Sequence, residues 1–283
     1  VGSPEAYALI DREISALRTM PGLKHVSSQL EDVLDEQKEL AGLRAAGKKV
    51  SRPAPRHLLM IGPPGTGKSM TAQMIADAYS LMGITKTNKV TSIKVPEIVG
   101  RVTGDAETNM SEAIASAGQG VLLVDEAHQF KNSVFGQRAL QTLIQPMADP
   151  NNKMVVIFAG YPGEMEEMLK VDPGLPSRFG GRLNFDEYGS DALIEIMLRD
   201  IPGKWNLNLG TKNAVDAMES AMELVSSTPD NASVRDAQKM VAFANKARIQ
   251  RIRGKELSED KALTFSPVDW KAAMHQWRTE HEG

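Results

Sequence analysis

Cysteine is absent from the 283 residues. That excludes disulfides, thiolate metal sites and a cysteine nucleophile, and it fits a reducing compartment, taken here as the cytoplasm. Long apolar runs are absent too. No window approaches the ~18 unbroken hydrophobic residues of a spanning helix, so no membrane insertion is expected. Val1–Asp11 has no basic start followed by an apolar stretch, so no secretory signal is expected there. Val1-Gly2-Ser3, without an initiator Met, reads as a processing or cloning remnant. No charge of one sign dominates: 33 Lys+Arg against 36 Asp+Glu leave −3, and no bulk positive field recruits nucleic acid. Aromatic residues are 5% of the chain, and no stacking platform for single strands is visible. The histidines His25, His57, His128, His275 and His281 show no metal-ligand spacing. Internal repeats and low-complexity tracts are also missing.

What is present is an ordinary globular balance, 41% hydrophobic and 24% charged, enough to build a core. Residues 4–19 have helical apolar spacing, with Ser3 as cap and Pro4 at the first position; a second helix is expected over 24–46. Ser51-Arg52-Pro53-Ala54-Pro55 reads as a linker. The pattern then changes. Short apolar runs at 57–61, 90–95, 120–124 and 154–159 alternate with helical patterns at 68–81, 108–117 and 135–147. Strands alternating with helices predict a parallel sheet covered on both faces, and wholly apolar strands fit that burial. After Tyr188 only helices are expected, at 190–200, 211–226, 232–253 and 267–278. The expected organisation is therefore N-terminal helices and linker (1–56), an α/β domain (57–188) and a helical domain (189–283). Trp205, Trp270 and Trp277 are expected to pack the last of these, and the 15 Met to fill core gaps.

Gly62-Pro63-Pro64-Gly65-Thr66-Gly67-Lys68-Ser69 fits G-x-x-x-x-G-K-[ST], between an apolar strand and a helix. Glycines let backbone N–H groups wrap phosphate oxygens, and the helix N-terminus adds positive potential. Lys68 would reach the β- and γ-phosphates, and Ser69 would offer its hydroxyl to Mg²⁺. Downstream, Val121-Leu122-Leu123-Val124 ends in Asp125-Glu126. Open α/β sheets bind ligands at that edge. Asp125 would hold Mg²⁺ through water, and Glu126 would deprotonate the attacking water. Together the two motifs predict nucleoside triphosphate hydrolysis. No Asn-Lys-x-Asp guanine-reading motif occurs, which favours ATP over GTP.

On these motifs the chain resembles the AAA+ ATPases, and within them the CbxX/CfxQ branch, which includes red-type rubisco activases and the ATPase domains of type VII secretion. The resemblance rests also on Met20–Val26, Glu97-Ile98-Val99-Gly100, Gly118–His128, Val155–Tyr161, Asp172–Phe179 and Ser233-Val234-Arg235, and covers about residues 20–255. It implies an αβα sandwich with a C-terminal helical lid, ATP and Mg²⁺ as cofactors, and a ring, most often a hexamer. It implies that Arg178 is an arginine finger acting on a neighbouring subunit, with Arg182 as second candidate. It implies that Arg235 senses the γ-phosphate from the lid. Tyr161 stands where the family usually has a polar sensor, and Val102 where a pore-loop aromatic is usual. The implied function is ATP-driven remodelling of a protein partner. A nucleic-acid-linked loader or motor, supported by the basic 235–255 stretch, and a nucleotide-gated assembly switch are the alternatives.

Overall fold

A computed structural model describes residues 3–48, 56–100, 105–229 and 233–281. The chain divides into two compact units: Val1–Gly62 with Gly67–Phe185, and Pro63–Thr66 with Asp186–Gly283. In the first, helices α1 (Pro4–Arg18) and α2 (Lys24–Ala45) precede β1 (His57–Ile61) and α3 (Lys68–Leu81). Then follow β2 (Val90–Lys94), α4 (Val95–Val99), α5 (Ala106–Ala117), β3 (Val121–Asp125), α6 (Val134–Ala148), β4 (Val155–Gly160), α7 (Pro162–Leu169) and β5 (Phe179–Asn184). Ser3 caps α1 by accepting from the Ala6 N–H, with Pro4 in the first turn, as its sequence predicts.

The sheet is all parallel, in the order β2-β3-β4-β1-β5. Its middle strands are apolar and buried, save the buried His57 that opens β1 and the half-buried Asp125 that closes β3. Alternate residues serve opposite faces. Leu59, Ile61, Leu122, Val124, Val156 and Phe158 join Phe130, Leu140, Leu143 and Met165 in one core. Each such side chain contributes about 1.5–3 kcal/mol of burial.

The topology creates a crevice. From β1 the chain crosses to β2 at the far edge, whereas from β4 it crosses the other way to β5. Right-handed crossovers then send the two connections to opposite faces. A gap opens above the carboxyl ends of β1 and β4, which is where open α/β sheets take ligands.

In the first unit β5, α4, α7 and a 3-10 turn depart from the sequence expectation. Strand β5 is not among the four expected apolar runs, because Phe-Gly-Gly-Arg-Leu-Asn lacks a β-branched, wholly apolar pattern. Its Gly181 is required by packing: a Cβ there would lie 2.5 Å from Val33 Cγ2 and 3.0 Å from Leu58 Cδ2. Between the runs at 90–95 and 108–117, where the sequence predicts no element, Pro96 lies in the first turn of the one-turn helix α4, closed by Gly100 at φ 69. A 3-10 turn, Ala127–Asn132, buries Phe130 directly after the acidic pair. Arg101–Gly104, and with them Val102, lie outside the described residues.

The second unit carries α8 (Ser190–Lys204), α9 (Lys212–Ser227), α10 (Val234–Ile252), α11 (Glu259–Ala262) and α12 (Pro267–His281). Helix α8 continues through Pro202-Gly203, where the sequence suggested a stop. Trp270 and Trp277 are buried, Trp270 with its ring 5.0 Å from Phe265 and Trp277 6.5 Å from Phe243. Arg251 pairs with the buried Asp269 at 2.8 Å, fixing α10 to α12. Among the described residues no helix is long and apolar enough to cross a membrane.

His57 fastens β1 to its neighbours. It is 2% exposed; Nδ1 accepts from the Val156 N–H at 2.9 Å and Nε2 donates to the Met147 carbonyl at 3.1 Å. Burial pushes its pKa down to about 4. The folded pKa lies below the unfolded value near 6.5, so between those values only the unfolded chain takes the proton. The neutral ring's contribution is complete above pH ~6.5 and is lost as pH falls toward ~4, a loss of about 3 kcal/mol. Urea unfolding between pH 7 and 4 should show that slope, and His57→Gln should flatten it.

Candidate functional site

Past Ile61 the chain turns over the crevice. The Gly62 N–H donates to the Gly160 carbonyl at 3.0 Å and the Phe185 N–H to the Ile61 carbonyl at 2.7 Å, so β1, β4 and β5 stay joined beyond their ends. A Cβ on Gly62 would fall 2.2 Å from the Phe185 carbonyl oxygen. Gly65 (φ 75) and Gly67 (φ 100) take left-handed conformations, and Gly67 starts α3 without any side-chain cap. The first-turn amides of α3 are therefore left to a ligand or to water. Thr66 Oγ1 donates to the Pro63 carbonyl at 2.8 Å, and Lys68 Nζ to the Gly62 carbonyl at 2.8 Å. Ser69 is exposed in the first turn of α3. This loop, with glycine backbone, uncapped helix and a lysine folded over its start, has the form of a phosphate cradle.

The crest of the loop belongs to the helical unit. Tyr188 Oη donates to the Thr66 carbonyl at 3.2 Å, and burial pushes this phenol up to about 12. A Cβ on Gly65 would meet Ser233 Oγ at 2.8 Å and Arg235 Cβ at 3.2 Å. Ser233 caps α10 and carries Arg235, whose side chain is exposed, into its first turn.

Two strands from β1, at the same sheet edge and roughly 10 Å away by strand spacing, β3 delivers Asp125 and Glu126. Asp125 Oδ1 accepts the Glu126 N–H at 3.0 Å. Glu126 sits at φ 55, in the left-handed region that non-glycine residues rarely occupy. Its Oε2 accepts from Gln129 Nε2 at 2.5 Å, and its Oε1 lies 3.8 Å from Lys94 Nζ at the end of β2. Between the two motifs β4 ends at Tyr161, which is 40% exposed. The buried His128 ring lies 5.2 Å from Tyr161, and its Nε2 is 3.0 Å from Glu164 of α7.

Arg178 and Arg182 are not brought to this edge. Arg178 closes a 3-10 turn immediately before β5, whose first residue pairs with His57 at the start of β1. Four residue steps, ~13 Å along a strand, separate that end from the phosphate loop. Arg178 Nε is buried without a hydrogen-bond partner among the described residues. The Asp172 carboxyl nearby is held below the usual range by Gln141, by the Gly174 N–H and by the Arg178 charge. Arg182 lies in mid-β5 and binds Asn184 Oδ1 at 2.9 Å and Glu166 Oε1 at 3.5 Å.

Mg²⁺ fits the donor set. Among the described residues no cluster of three or more acidic or histidine side chains could hold a metal alone. A hydroxyl from Ser69, a carboxylate from Asp125, phosphate oxygens and water are the hard-oxygen set that Mg²⁺ favours. Sequence reasoning missed Gln129, Lys94, the approach of His128 to Glu164, and Tyr188. Gln129 stands three residues past Glu126, the spacing of a 3-10 turn, which was the one available signal. Lys94 meets Glu126 only through the β2–β3 register, Lys94 opposite Asp125.

A family model described as the ATPase family associated with various cellular activities (AAA) matches residues 58–187. Among curated proteins, the ESX-1 secretion system protein EccA1 of Mycobacterium leprae (strain TN) is 30% identical over 270 residues, covering 90% of this chain and 45% of that protein. EccA1 of Mycobacterium tuberculosis is 34% identical over 199 residues, 68% of this chain and 33% of that protein. The chain thus spans less than half the length of these relatives. Among solved structures, the FIGL-1 AAA domain in complex with ADP superposes with a TM-score of 0.58 at 18% identity, over 94% of this chain and 86% of that one. A point mutant of Thermotoga maritima RuvB gives 0.60 at 19% identity, over 94% and 74%. These two likenesses concern the fold.

The Gly62 contact gives a direct test of the loop's packing. Gly62→Ala sets a methyl against a backbone carbonyl, so denaturant unfolding should show a loss of about 1–3 kcal/mol. Gly163→Ala, where a Cβ meets nothing within 4 Å, should be near neutral.

Proposed function

We propose that residues 58–187, which the AAA family model matches, are an AAA+ ATPase domain, and that the chain binds ATP and Mg²⁺ at Gly62–Ser69, hydrolyses ATP in a ring oligomer and uses the energy to remodel a protein partner. The observation that carries this reading is the placement of the glycine cradle and the Asp125-Glu126 pair at one sheet edge. In this reading residues 57–188 are the ATPase domain and 189–283 its helical lid. The EccA relatives are named as secretion system proteins, which favours a protein partner. The −3 net charge weighs against a nucleic-acid motor.

The backbone amides of Gly65–Ser69 and the Lys68 ammonium take the phosphate oxygens. Ser69 and Asp125 would hold Mg²⁺, which would supply positive charge against the phosphates. Glu126 orients the attacking water and takes its proton. Arg235, in the first turn of α10, is the candidate γ-phosphate sensor. Arg178 serves a neighbouring subunit: it stands at the far end of β5 from its own phosphate loop, so it cannot serve its own. A guanidinium from the next copy then supplies transition-state charge, and the head-to-tail contact this needs closes into a ring.

Lys68→Ala should abolish nucleotide binding, measured with a fluorescent ATP analogue. Glu126→Gln should bind ATP as the parent does and turn it over poorly. If both variants hydrolyse ATP at the parent rate, the site is elsewhere.

Arg178→Ala should bind ATP normally and lose turnover on the order of 10³-fold, the lower end for a missing arginine finger. Mixed with Lys68→Ala, itself inactive, it should regain part of the activity. Each Lys68→Ala subunit still offers its Arg178 to a neighbour with an intact phosphate loop. No recovery in mixtures that co-assemble by sizing would count against a finger in trans, and Arg182 should then be tested the same way.

A further inference from the structure

We propose that Gln129 is a positioning residue for the Glu126 carboxylate; the inference rests on the reading of Glu126 as the group that takes the water's proton. Glu126 holds a left-handed backbone, φ 55, without being glycine. Such a conformation persists where the surroundings impose it, and it clusters at functional positions. Here three hydrogen bonds impose it. The Glu126 N–H donates to Asp125 Oδ1 at 3.0 Å. The Glu126 carbonyl accepts the Gln129 N–H at 2.9 Å. The Glu126 carboxylate accepts Gln129 Nε2 at 2.5 Å. Gln129 thus binds both the main chain and the side chain of the same residue, from a half-buried position.

A glutamate side chain has three rotatable bonds, so an untethered carboxylate samples many positions. The second group near it, Lys94, is a weaker hold: 3.8 Å away and 52% exposed. The two also differ in kind. Lys94 lies on β2, a separate element that can stay behind when the carboxylate turns. Gln129 is tied through its own backbone to the residue it grips, so the pair moves together. A partner that travels with the carboxylate cannot act as a releasable latch; it sets the carboxylate's direction. Its loss is therefore expected to slow turnover rather than to release a held-back activity.

Gln129→Met keeps the length and removes the donor. Steady-state turnover of ATP should fall on the order of tenfold, while ATP affinity stays within about twofold of the parent. The thermal midpoint should not move. In single-turnover assays on a Glu126→Gln background, the same substitution should cause no further loss, because no carboxylate remains to be oriented. Gln129→Glu, nearly the same shape with an acceptor in place of the donor, should slow turnover at least as much; it serves as the test if the Met variant does not fold. Parent-like or faster turnover of the Gln129 variants, or an equal loss in both backgrounds, overturns the proposal. Parent-like turnover of Glu126→Gln alone would instead overturn the role of Glu126, and is seen with Gln129 untouched.

Discussion

Strands β1 and β4 run side by side with every residue buried, and past their ends the Gly62 N–H donates to the Gly160 carbonyl. The chain leaves β1 and β4 in opposite directions, so the crevice above them follows from their adjacency. The phosphate loop is the exit from β1, Tyr161 is the exit from β4, and the acidic pair is the exit from β3 next door. Shifting β4 out of this position would separate all three. His57 guards the pairing at the other end, with a neutral ring that a proton would turn from acceptor to donor against the Val156 N–H.

The site has little room for side chains in its backbone. Gly62 meets Phe185, Gly65 meets Ser233, and Gly160 meets Met165 and His128, each closer than a Cβ would tolerate. Close packing of this kind leaves the main-chain amides unobstructed by side chains, which electrostatic stabilisation of phosphoryl transfer would use. The flexible groups, Lys68 and Glu126, are in turn held by hydrogen bonds to the Gly62 carbonyl and to Gln129.

Direction along the strands decides which sheet edge each candidate residue reaches. Parallel strands put all carboxyl ends at one edge and all amino ends at the other. Arg178 precedes β5 and so stands at the amino edge, beside Asp172. The same parallel order that gathers Gly62–Ser69, Asp125 and Glu126 keeps Arg178 away from them. Its proposed partner is therefore another copy.

By itself the sequence determined the elements whose signals are local. The buried strands at 57–61, 121–125 and 155–160 are continuous apolar runs, the helices follow their apolar spacing and caps, and the phosphate loop is a contiguous glycine pattern set between a strand and a helix. The acidic pair was legible because it terminates one of those runs. Tertiary structure decided what depends on register and close approach. Strand β5 is recognised by its pairing with β1 and by Gly181, which lets Val33 of α2 come close, contacts invisible in Phe-Gly-Gly-Arg-Leu-Asn. Lys94 reaches Glu126 only through the β2–β3 register, and Tyr188 reaches Thr66 across 122 residues of chain. The edge on which each arginine stands depends on strand direction. A sequence pattern encodes which face a residue turns to its own element; which distant backbone lies opposite that face is settled only when the sheet is assembled.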